Sequence, residues 1–267
     1  MGTINRRQLL AGATTFAMAG KLWSKGEAVE DRAEDIVVEL RQYTLRGGQR
    51  DTLISMFESR FEDPLNATGN HVIGTFRDLD DPDRFVWIRG FGGMPVRQEA
   101  LQSFYGGPVW QANRAAANAT MVDSDNVLLL RPVAPGQGFS ELSTPQRSSH
   151  SVIGATIYYL GTVDTVQFAQ FFEASILPHL TALQVRPIAR LVTEEGPNNY
   201  PKLPIREHDR TFIWFARWPN PASEKAFVER FSKLSGWRDS APESVLPALM
   251  RKPERLRLAP TRRSVLR

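Results

Sequence analysis

The 267-residue chain has no cysteine. That single absence excludes disulfides, iron–sulfur clusters, thiolate zinc sites and cysteine nucleophiles. No run of 18 or more apolar residues occurs, so no transmembrane span is expected in the mature chain. The four histidines, His71, His150, His179 and His208, never lie two, three or four residues from one another. With no HxxE or HExxH pattern either, a local zinc motif is missing and no metal is expected. G-x-S-x-G, P-loop and dinucleotide glycine fingerprints are also lacking, which argues against hydrolase, NTPase and Rossmann chemistry.

What is present is the balance of a globular protein, 42% hydrophobic and 23% charged residues. The net charge of +4 invites a nucleic-acid reading. Much of the excess sits at the ends, however, with Arg6, Arg7, Lys21 and Lys25 at one and Arg251, Lys252, Arg255, Arg257, Arg262, Arg263 and Arg267 at the other. Nucleic-acid binding needs a continuous basic surface with interleaved aromatics, and the body of the chain carries mixed charge. No nucleic-acid partner is expected, and residues 261–267 read as a solvated basic tail.

Near the N-terminus, Asn5-Arg6-Arg7-Gln8-Leu9-Leu10-Ala11 precedes a weakly apolar stretch running to about Ala19. The pattern resembles a twin-arginine export signal, with Asn5 where Ser or Thr is commoner and Ala17-Met18-Ala19 suited to signal peptidase. Residues 1–35 are thus expected to be a signal segment, near residues 1–28, followed by a polar linker. The expected location is periplasmic.

The body repeats itself. Shifted by 115 residues, Tyr43 falls on Tyr158, Leu53 on Phe168, Phe57 on Phe172 and Ile73 on Ile188. Beyond the next loop the shift becomes 127: Trp87 falls on Trp214, Phe91 on Trp218, Phe104 on Phe231 and Trp110 on Trp237. The difference is one insertion, placed by its turn residues at Gly196-Pro197-Asn198-Asn199-Tyr200-Pro201-Lys202-Leu203-Pro204. Each copy reads strand, helix, strand, strand, helix, strand. In the first copy the strands are expected at 37–45, 72–77, 84–91 and 126–131, and in the second at 151–160, 188–193, 211–218 and 256–258. Pro242 and Pro247 should break the last helix of the second copy.

That order is the ferredoxin-like βαββαβ motif. The expected fold class is α+β: two tandem modules, 36–132 and 151–260, packed sheet to sheet as an α/β barrel, with 133–150 as a Pro-, Gly- and Ser-rich linker.

Glu39-Leu40-Arg41-Gln42-Tyr43-Thr44-Leu45, followed by Gly47-Gly48, resembles the opening motif of the NIPSNAP family. Residues 76–87 (FRDLDDPDRFVW), 104–110 (FYGGPVW) and 123–132 (DSDNVLLLRP) continue the match. The resemblance covers residues 36–132 closely and the second copy more loosely. It implies a dimeric α/β-barrel fold, and a homodimer as a partner arrangement. Superfamily relatives include cofactor-independent monooxygenases, lactone isomerases and haem-dependent enzymes, and the family implies no agreed reaction or catalytic set.

Several residues are candidates for a binding site. Glu39, Arg41 and Tyr43 share one face of the first strand because side chains alternate. A buried Glu–Arg pair could orient an acidic or carbonyl ligand, or serve as glue in the sheet. Trp110, Arg114, Asn118 and Met121 form one stripe of a helix, which with Trp87 from a facing strand would frame a pocket between helix and sheet. The second copy replaces Tyr105 with Ser232, so the first is the better candidate for a working site. No cofactor is expected; haem, with His179 as its ligand, is the alternative. The functional expectation is an exported protein binding a small organic ligand or taking part in an interaction in the cell envelope, with a cofactor-independent monooxygenase or isomerase as the alternative.

Overall fold

The computed structural model describes residues 36–139, 150–234 and 236–267; the twin-arginine-like segment and the middle of the linker fall outside them. The first module runs β1 (Val37–Leu45), α1 (Arg50–Met56), a π-helical turn (Phe57–Phe61), α2 (Glu62–Ala67), β2 (His71–Asp78), β3 (Arg84–Phe91), α3 (Met94–Gly106), α4 (Pro108–Ala119) and β4 (Met121–Pro132). The second runs β5 (Val152–Tyr159), α5 (Thr165–Phe171), a π-helical turn (Phe172–Ile176), α6 (Leu177–Ala182), β6 (Ala189–Thr193), β7 (Thr211–Trp218), α7 (Pro221–Ser232), the short helices α8 (Gly236–Asp239) and α9 (Leu246–Met250), and β8 (Glu254–Pro260). The π-turn recurs at the same shift of 115, from Phe57 to Phe172. The broken last helix of the second module is the pair α8 and α9.

Within the first module the strand order is β4-β1-β3-β2, and within the second β8-β5-β7-β6. The sheets then join edge to edge, β2 to β8 at Phe76–Pro260 and β4 to β6 at Leu130–Thr193, so that eight strands close one barrel. Closure pairs the outer strands of both sheets and leaves no bare edge. Inward-facing residues fill the interior, among them Val38, Leu40, Ile88, Leu130, Ile157, Ile213 and Leu258. Helices cover the outer faces through two aromatic-rich clusters, around Trp87 and Phe57 in one module and around Trp214 and Phe172 in the other. Alternation along β1 therefore sends Glu39, Arg41 and Tyr43 outward beneath the helices.

Three boundaries differ from expectation. β4 begins at Met121, ahead of the expected 126, because irregular pairing after Gln42 lets Thr44 and Leu45 reach Asp123 and Met121. The polar run Asp123-Ser124-Asp125 hides that strand from any apolar alternation. The linker is partly core: Phe139 is buried inside the barrel and meets Phe215 at 5.1 Å. The C-terminal residues are not a solvated tail. Leu266 is buried in the barrel interior, the Glu58 carboxylate accepts from the Thr261 hydroxyl at 2.8 Å and the Arg263 amide at 2.9 Å, and Arg263 pairs with Asp63. Glu62 beside them is pushed up to about 7: burial and the neighbouring Glu58 outweigh the pull of Arg263.

Candidate functional site

A valine-, leucine- and tyrosine-rich strand such as β1 is an unusual place for a carboxylate, and Glu39 is fully buried there. Its partners explain how it is tolerated. Glu39 Oε2 accepts from Arg41 Nη1 at 2.6 Å and from Arg89 Nη2 at 2.6 Å and Nε at 2.8 Å; Oε1 accepts from Arg97 Nε at 2.6 Å. Register brings Arg89 of β3 directly opposite Glu39, and α3 lowers Arg97 from above. Burial alone would raise the Glu39 carboxyl, but the three guanidinium groups override it and hold it far below the ordinary carboxylate range.

One carboxylate faces three guanidinium groups, so the cluster keeps a formal surplus of two positive charges. Aromatic faces and amide oxygens absorb part of it. Arg89 lies 5.0 Å from the Trp87 ring centroid, Arg41 5.4 Å from that of Tyr43, and Arg97 Nη1 donates to the side-chain oxygens of Asn198 and Asn199 at 3.2 and 2.5 Å. Buried surplus charge of this kind favours an anion nearby.

Beside the cluster is a cavity of about 590 Å³, a volume usual for small-molecule sites. Its floor holds Arg41 and Tyr43; α4 contributes Trp110, Arg114 and Asn118, and Met121 follows at the start of β4. Arg41 Nε donates to the Tyr43 hydroxyl oxygen at 2.9 Å, and its Nη1 goes to Glu39. No hydrogen bond from its Nη2 occurs among the described residues, and the residue lines this cavity. Burial pushes the Tyr43 hydroxyl above its ordinary value, so it stays protonated at neutral pH. Since that oxygen accepts from Arg41, its own proton remains free for a further acceptor. Arg114 and Lys202 add cationic side chains at the rim, against one acid, Asp125.

Five of the seven expected site residues thus meet in one cavity: Arg41, Tyr43, Trp110, Arg114 and Asn118. Glu39 and Trp87 do not line it. Glu39 lies behind Arg41 and fixes its orientation. Trp87 is packed deeper, against a void of only about 30 Å³ bounded by Phe57, Phe61, Phe104 and Trp110. The helix–sheet interior expected to be the pocket is therefore nearly solid, and the usable space opens beside it. His179 lies on α6 and lines neither cavity. Among the described residues no group of three or more His, Asp or Glu side chains is placed to hold a metal, and no helix is long and apolar enough to cross a membrane.

Three contributors were missed from sequence. Arg89 was detectable as the charge inside the apolar strand RFVWIRGF, which a buried site must pair. Arg97 gave no local sign. The third is the insertion of the second module, whose Tyr200, Lys202, Leu203 and Pro204 wall the cavity of the first.

Neither a family model nor a curated protein sequence matches the chain. Solved structures do. A Lactobacillus acidophilus protein provisionally named a monooxygenase matches with a TM-score of 0.52 at 12% identity, over 85% of this chain and 94% of that one. An anthrone oxidase-like protein matches with a TM-score of 0.50 at 12% identity, over 85% and 92%. A NIPSNAP family protein from Agrobacterium tumefaciens aligns with 39% of this chain and 90% of its own, at 19% identity and a TM-score of 0.36. The long matches agree with the strand order and the closed barrel described above: the chain has the dimeric α/β-barrel fold, with both halves in one polypeptide.

Proposed function

We propose that the chain is an exported NIPSNAP-like protein whose first module binds a small organic anion. One observation carries the binding reading. Arg41 is almost fully buried, is held in place by Glu39 and Tyr43, lines the 590 Å³ cavity and has no hydrogen bond from Nη2 among the described residues, with surplus positive charge behind it. A guanidinium held this way loses little freedom when it takes a carboxylate. The Tyr43 proton supplies a second donor, and Arg114 at the rim attracts the ligand.

The test is a thermal-shift titration of the full chain with benzoate, comparing wild type with Arg114→Ala. Wild type should gain stability at millimolar benzoate, and the variant should gain clearly less. Equal shifts in both proteins would remove the anion reading.

A second reading, a cofactor-independent monooxygenase or isomerase, is favoured by the Tyr43–Arg41 pair, a neutral phenol beside a fixed cation, which suits a carbonyl or enolate oxygen. The names of two structural neighbours point the same way. Oxygen uptake or isomerisation dependent on a bound substrate, lost in Tyr43→Phe with binding retained, would establish it. Export rests on Arg6 and Arg7. Fractionation after Arg6→Lys with Arg7→Lys should trap the protein inside the cell, and unchanged periplasmic recovery would refute that route.

A further inference from the structure

The wall that the second module contributes is aromatic and held in place. Tyr200 stands 6.2 Å from Tyr105, within 29° of parallel, and Tyr105 meets Trp110 edge-on at 5.1 Å. Tyr105, Trp110 and Tyr200 all line the cavity. The loop carrying Tyr200 is tied internally, with Tyr200 N donating to Asn198 Oδ1 at 3.1 Å and Asn198 Nδ2 to the Leu203 carbonyl at 2.9 Å. It is also tied to the first module, with Asn199 Nδ2 donating to the Met94 carbonyl at 2.6 Å and Arg97 donating to Asn199. Arg97 and Arg41 share the Glu39 carboxylate. One buried carboxylate therefore fixes both the cation on the floor and the anchor of the aromatic wall.

Building on the anion reading above, we propose that this insertion selects a flat aromatic ring, so that the ligand class is an aromatic carboxylate. Tyr105 and Tyr200, with ring centres 6.2 Å apart, stack on each other and form one aromatic wall, and a ligand ring packs against that wall at the ordinary contact distance of about 3.5–4 Å. The acid of the same molecule then reaches Arg41 and Tyr43 on the floor. A saturated ring of the same outline is thicker, lacks the π-face and loses the stacking. Because the loop is already hydrogen-bonded in place, little ordering opposes binding.

The test is calorimetric titration of the full chain with 2-naphthoate and with its saturated counterpart, decahydro-2-naphthoate, which carries the same charge. Wild type should prefer the aromatic acid by roughly threefold to tenfold. Tyr200→Leu should reduce that preference to about twofold or less while leaving the saturated acid unaffected, and Tyr200→Phe should retain it. Equal affinities in wild type, or a preference that survives Tyr200→Leu, would overturn ring selection. In that event the anion reading still stands if both acids weaken in Arg114→Ala. No binding of either acid would defeat both readings.

Discussion

The two modules follow the same path through space, yet they use the same sheet positions for opposite purposes. Glu39, Arg41, Arg89 and Arg97 of the first correspond, by the shifts of 115 and 127, to Gly154, Thr156, Ala216 and Glu224 of the second. Strand register confirms the match: Glu39 faces Arg89, and Gly154 faces Ala216. Where the first module has a carboxylate and three guanidinium groups, the second lays the Trp218 ring over Gly154, so close that a β-carbon there would sit 2.5 Å from it. Glu224 turns instead to Arg257, at 2.9 Å, in a partly buried pair at the seam between the modules. Tyr105, Arg114 and Asn118 have Ser232, Ala241 and Val245 as counterparts. A constant scaffold is thus specialised by a few outward-facing positions, one half for a charged site and one for packing. The supporting half still takes part, because its insertion walls the other's cavity.

The sharpest way to break this contrast is Glu39→Ala. It leaves three buried guanidinium groups without their shared anion, and unfolding in urea should show a loss of about 3–5 kcal/mol. A variant within about 1 kcal/mol of wild type would mean that the cluster is far more solvated than its burial indicates. Gly154→Ala asks the converse question of the second module: forcing Trp218 aside should cost about 1–3 kcal/mol, measured the same way, with anion binding unchanged.

Glu62 offers a contrast of smaller size, since Leu177 takes its place in the second module. Its folded-state carboxyl, at about 7, lies above the ordinary value of 4.5. The native state therefore binds more protons than the unfolded chain between those values, and stability falls as pH rises from about 5 through 7. Glu62→Leu should flatten that slope by about 1 kcal/mol in denaturation midpoints compared at pH 5 and pH 8, once partial solvation is allowed for. Identical slopes in both proteins would discard the assignment. The smallest stability effect is expected for Arg114→Ala, within about 0.5 kcal/mol of wild type because the side chain is exposed. Its effect should appear in anion affinity instead, as a loss of roughly fivefold to tenfold.

Much of the architecture was legible because its signals are local or periodic. Alternation in Val37–Leu45 placed Glu39, Arg41 and Tyr43 on one face, and helical spacing placed Trp110, Arg114 and Asn118 on one stripe. The recurrence of tryptophans and tyrosines at two fixed shifts marked two modules and located the insertion within the second. β4 escaped because its first residues are polar, and the C-terminal residues escaped because a run of arginines conceals the buried Leu266.

What the sequence alone determined, then, was two βαββαβ units and the residue types available on their outer faces. Tertiary structure decided which of those residues meet. Arg89 and Arg97 reach Glu39 across sequence separations of 50 and 58 residues, and Asn199 reaches Arg97 across 102. No period or spacing within one strand or helix encodes such encounters. They follow from strand register, from the packing of α3 over β1, and from barrel closure, which brings the second module's loop onto the first.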